Sequence, residues 1–168
     1  MKLRTSHRLV PLFAVVAALL ATAPLRAEFR PSGLNVDTAA IEKAVLETNA
    51  RMTQAADSLN AEAFFDYIVD TDKGLIVQNG TIFRTRQEAL AAVKRGFQGL
   101  AQIDRKFENP QVTVVAPDAA LLVADGSVAA TFADGRTMTS RFAVSLVFVL
   151  RDGRWKVLHG HYSMPPRN

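Results

Sequence analysis

His159 and His161 stand two residues apart in the segment Arg154-Trp155-Lys156-Val157-Leu158-His159-Gly160-His161-Tyr162-Ser163. Imidazole is the side chain whose charge changes near neutral pH, so such a pair can hold a ligand, move a proton or begin a metal site. Side chains alternate along a strand, so both rings project from one face if this segment is extended. The chain has three histidines, and the third, His7, lies in a segment read below as a leader. Three readings stay open for the pair: structural groups bonded to backbone or water, polar anchors in a pocket, or acid–base groups. Zinc generally takes at least three protein ligands, and no third accompanies these two, so neither a metal nor another cofactor is expected. The absence of cysteine removes thiol nucleophiles and cysteine-ligated zinc.

The strands around the pair decide which face it occupies. With Asp152-Gly153 as a two-residue turn, Leu150 opposes Trp155, Phe148 opposes Val157, Leu146 opposes His159 and Val144 opposes His161. That register predicts that the histidines share the large apolar face, which must pack on helices. The opposite face, with Ala143, Ser145 and Val147, is flatter and suits sheet-to-sheet association. The turn at Asp134-Gly135 admits two registers. One sets Asp125 against Val144, on the histidine face, as a possible acid–base partner. The other, one residue away, turns Leu122, Ala124, Val128, Ala130 and Phe132 inward and Asp125 outward. The catalytic candidates are therefore His161, His159 and Asp125. The candidate ligand lining is His159, His161, Trp155, Phe64, Tyr67 and Asn79, the last two at the cavity mouth.

Three helices precede these strands. Asp37 is a good N-cap for a first helix whose apolar positions run Ile41, Val45, Thr48, Met52, Ala55 and Leu59. Asn60 caps a short second helix with Phe64 and Ile68 one turn apart. Residues 75–78 and 81–84 flank Asn79-Gly80, a strong hairpin dipeptide. Thr85 and Glu88 form a capping box before a third helix with Leu90, Val93, Phe97 and Leu100 on its apolar stripe. Strands follow over 102–116 (broken near Pro110), 119–133, 136–150 and 154–163, separated by Pro117-Asp118, Asp134-Gly135 and Asp152-Gly153. The order α-α-β-β-α-β-β-β-β predicts an α+β domain.

The N-terminus reads as a secretory signal. Lys2, Arg4, His7 and Arg8 precede an apolar run from Leu9 to about Ala23, too short for a membrane span, and cleavage fits best after Ala27. The expected organisation is a leader over 1–27, a linker over 28–36, one domain over 37–164 and a tail over 165–168. A periplasmic or secreted bacterial protein is expected, with no membrane attachment after cleavage. The net charge of +4 comes from 20 basic and 16 acidic residues. Losing Lys2, Arg4, Arg8 and Arg26 leaves a neutral chain, which gives no electrostatic case for binding nucleic acid.

This layout and the final strand, Gly153-Arg-Trp155-Lys-Val-Leu-His159-Gly-His161-Tyr-Ser163, resemble the nuclear transport factor 2-like, or SnoaL-like, superfamily. Within it, they resemble the bacterial branch related to the association domain of calmodulin-dependent kinase, over about residues 37–164. The resemblance implies a cone-shaped α+β barrel, in which a curved antiparallel sheet wraps around the three N-terminal helices and leaves a cavity. It implies homodimers through the outer sheet face and a small-molecule ligand of unknown identity. Members include isomerases, dehydratases and cyclases using a His or Asp acid–base pair, and non-catalytic binding or assembly modules. Fold alone does not choose among them.

Overall fold

The computed structural model describes residues 36–73 and 75–165. The signal, most of the linker and the end of the tail expected from the sequence lie outside those residues. Helix α1 (Thr38–Asp57) starts where Asp37 accepts the Ala40 N–H at 2.9 Å. Helix α2 (Ala61–Phe65) starts where Asn60 accepts from Ala63 at 3.0 Å. Helix α3 (Arg86–Phe97) carries the full capping box between Thr85 and Glu88. Each cap satisfies backbone donors that the helix itself leaves unpaired.

Strands β1 (Ile76–Gln78) and β2 (Thr81–Phe83) form the hairpin around Asn79-Gly80, both at positive φ. Strands β3 (Leu100–Ala116), β4 (Ala119–Phe132), β5 (Thr137–Arg151) and β6 (Arg154–Ser163) form the meander. The sheet order is β2-β1-β6-β5-β4-β3. It differs from the expected antiparallel barrel in two respects. Strand β1 runs parallel to β6, because the chain returns to the sheet beside its last strand, and among the described residues the sheet stays open, with β2 and β3 at its two edges. Among the described residues the domain is an α+β unit of six strands and three helices.

One face of the sheet is covered. Helix α1 packs mainly on β3 and also on β4 and β6, while α2 joins α1 to α3. The core beneath contains Val45, Met52, Phe65, Leu75, Leu122, Leu146 and Phe148, all essentially inaccessible. Burying such side chains stabilises by roughly 1.5–3 kcal/mol each relative to exposure. Gly126 lies on this face because a Cβ there would strike the Lys106 carbonyl and the Phe142 ring.

The β5–β6 register departs from the simple hairpin. Phe148 still opposes Val157, but Val147 opposes His159, so Leu158 is an extra residue in a β-bulge. Its cause lies on the other side of β6. The N–H of Val157 donates to the Tyr67 carbonyl at 2.8 Å, and the N–H of Gly160 donates to the Leu75 carbonyl at 3.0 Å. N–H groups on one side of a regular strand recur every second residue. Val157 and Gly160 are three apart, so one extra residue is required. Beyond the bulge the alternation inverts, and Gly160 and Tyr162 face the core in place of the histidines.

Candidate functional site

His159 and His161 therefore lie on the outer face. His161 opposes Ser145 on β5 and Val77 on β1, and His159 opposes Val147. The expectation that they line a helix-covered cavity is corrected by the bulge. The outward placement also spares burial of two imidazoles, each of which would need hydrogen-bond partners inside.

Asp125 opposes Ala143, on the same outer face, so the outward register is the one adopted, with Leu122, Ala124, Val128 and Ala130 buried. Its carboxylate accepts from Arg141 Nη2 at 2.7 Å, and Arg141 Nη1 donates to Glu108 at 3.0 Å. Asp125 is half-exposed and held by a guanidinium. The expected His–Asp pair inside a cavity is not assembled.

The other expected lining residues divide. Phe64 packs edge-on against Phe65 with ring centroids 5.3 Å apart. Tyr67 and Trp155 are partly buried against the core, and Trp155 opposes Leu150 on the covered face. Asn79 plays a structural part. Its Oδ1 accepts the Met164 N–H at 3.3 Å and so ties the chain beyond β6 to the β1–β2 turn.

Two polar residues that the sequence pattern did not single out enter the covered side. Asn49 is 5% exposed in α1, and its Oδ1 is fully enclosed without a hydrogen-bond partner. It continues the buried stripe of Val45, Met52 and Ala56. The signal that could have found it is a polar residue at i+4 from one apolar position and i−3 from the next. Tyr162 opposes Val144 and packs against the core, where burial pushes its phenol up to about 12, with the nearby Arg105 charge opposing the shift. Arg105 in turn donates to Asp57 at 2.7 Å, linking β3 to the end of α1. Asp70, Asp72 and Arg86 border a separate open surface hollow of about 560 Å³. Arg86 is engaged there with the Phe65 carbonyl and ring. Among the described residues no group of three histidine, cysteine or acidic side chains could hold a metal. No described helix is long and apolar enough to cross a membrane.

The family model described as SnoaL-like domain matches residues 45–167. The chain belongs to the SnoaL-like domain family. No curated protein matches the chain. Among solved structures, a nuclear transport factor 2-like superfamily protein from Salmonella enterica serovar Typhimurium superposes with a TM-score of 0.70. It is 17% identical, with 78% of this chain and 95% of that one covered. A candidate calcium/calmodulin-dependent protein kinase II association domain from Xanthomonas campestris gives 0.60 at 16% identity, covering 75% and 86%. A type 2 hexachlorocyclohexane dehydrochlorinase gives 0.65 at 14% identity, covering 77% and 88%. At these identities the likeness is one of fold, a fold that SnoaL-like proteins use for ligand binding and for dehydratase or isomerase chemistry.

Proposed function

We propose that this SnoaL-like protein binds a small, largely apolar molecule between α1 and the covered face of the sheet, with Asn49 Oδ1 receiving a hydrogen bond from it. The supporting observation is the unpartnered amide oxygen. An enclosed acceptor without a donor costs about 1–3 kcal/mol, and a ligand hydroxyl or amine reaching it offsets that cost. The surroundings are apolar, which sets the ligand's general character. Native mass spectrometry of the protein purified from its producing cells tests the reading. Extra mass on the wild type that is absent from Asn49→Leu supports it; an empty wild type, or equal loading of both, removes it.

The uncovered face supports a homodimer. Strand β4 carries a single charged residue, Asp125, in fourteen. Near-continuous apolar runs of this kind mark strands buried on both faces. Val123 and Ile82 are 46% and 49% exposed there, beside Val77, Leu121 and Val147. Four side-chain rows across five strands cover roughly 600 Å² before side-chain relief is counted. That is close to the ~800 Å² per partner of a standard interface. A second copy is the occupant whose surface matches, since a two-fold axis sets the same neutral face against itself. Ser145→Arg should convert the dimer to monomer in sedimentation velocity; an unchanged mass rules this face out.

A further inference from the structure

We infer that the molecule bound at Asn49 is an uncharged hydroxy-carbonyl compound, its hydroxyl donating to Asn49 Oδ1 and its carbonyl oxygen accepting from the Tyr162 hydroxyl. This rests on the covered-face site proposed above and adds the chemical class of its ligand. Tyr162 reaches that side of the sheet because of the bulge. Beyond Leu158 it faces the core opposite Val144, where a regular hairpin would turn it outward. Gly160 gives its ring room. A Cβ there would stand 3.2 Å from Tyr162 Cε2 and 3.1 Å from Leu146 Cδ2, so the ring lies back over the strand and against the core. No described residue hydrogen-bonds its hydroxyl. Burial pushes the phenol up to about 12, so it keeps its proton, and with it a donor, throughout the neutral range.

Asn49 and Tyr162 address the same stretch of the covered face. Asp57 and Arg105 link the end of α1 to β3. Asn49 stands just over two helical turns before Asp57, about 12 Å. Val128 opposes Arg105, and Ala124, in the row of Val144 and Tyr162, stands four residues from it along β4, about 13 Å. Helix α1 packs on β3, β4 and β6, so the helix acceptor and the strand donor lie at about the same level. The charges at this end are already matched, since both Asp57 oxygens accept from Arg105. A charged ligand group between α1 and the sheet would lose its water and meet no spare counter-charge.

Isothermal titration calorimetry with four matched probes tests the class. The wild type should bind para-hydroxybenzylacetone about tenfold more tightly than benzylacetone, which lacks the hydroxyl, or para-butylphenol, which lacks the carbonyl. Each missing group leaves one enclosed partner unpaired. Tyr162→Phe, which removes one oxygen and keeps the ring, should abolish the advantage over para-butylphenol. Asn49→Leu should abolish the advantage over benzylacetone, with far-UV circular dichroism following the fold of both variants. Equal binding of the three neutral probes by the wild type overturns the inference, as does tighter binding of the anion para-hydroxyphenylpropionate. A folded Tyr162→Phe variant that keeps the advantage over para-butylphenol also overturns it. So does a wild type that binds no probe yet carries extra mass when purified from its producing cells, and in that case the Asn49 reading stands. An empty wild type that binds no probe removes the binding reading itself.

Discussion

Replacing Asn49 by leucine should make the protein more stable. The two side chains have the same number of heavy atoms beyond Cβ, so the substitution fills the same volume without a new cavity or gross overpacking. It removes an enclosed amide oxygen that has no donor, whose cost is about 1–3 kcal/mol. Leucine also favours a helix interior over asparagine by a few tenths of a kcal/mol. Allowing for imperfect shape, the gain should be about 1–2 kcal/mol, or roughly 3–8 °C in melting temperature for a domain of this size. Urea unfolding followed by circular dichroism measures it, with an unchanged denaturant slope showing that the native and unfolded states keep their compactness. A loss of about 1 kcal/mol or more would refute the reasoning. It would mean that the amide is bonded in solution, for instance to an enclosed water, and that the oxygen is not held open for a ligand.

Three further outcomes are expected. Gly126→Ala should cost more than about 2 kcal/mol in the same assay, because its new methyl meets the Lys106 carbonyl and the Phe142 ring, and a backbone carbonyl cannot rotate aside. Asp57→Ala should cost about 1–2 kcal/mol, since Arg105, itself about three-quarters buried, loses both its side-chain and backbone acceptor at the end of α1. Tyr162 holds its phenol at about 12 against an ordinary 10.0, so the neutral form is favoured by folding. Its stabilisation is present below about pH 10 and fades as pH rises through about 12, by an amount on the order of 2 kcal/mol. Tyr162→Phe should remove that part of the pH dependence, and absorbance of tyrosinate can separate it from Tyr67, the only other tyrosine.

The local chemistry of this chain was legible in its residues. Asp37, Asn60 and the Thr85–Glu88 pair cap the three helices as their side chains require, and the Asn79-Gly80 and Asp152-Gly153 turns adopt the positive φ values such dipeptides favour. Apolar alternation also placed the meander strands to within a few residues, and Leu122, Ala124, Val128 and Ala130 are buried as one of the two registers required. These features depend on neighbours along the chain. The face of His159 and His161 does not. It follows from Val157 and Gly160 donating to Tyr67 and Leu75, residues far earlier in the chain, whose arrival beside β6 forces an odd spacing and hence the bulge. The parallel pairing of β1 with β6, the open sheet and the enclosure of Asn49 likewise depend on segments remote in sequence from one another. The sequence by itself determined which segments are helix, strand and turn, and that two histidines share one side of a strand. Only the tertiary structure decided which side, because strand parity is set by the hydrogen bonds of the neighbouring segment, and that segment is remote in sequence.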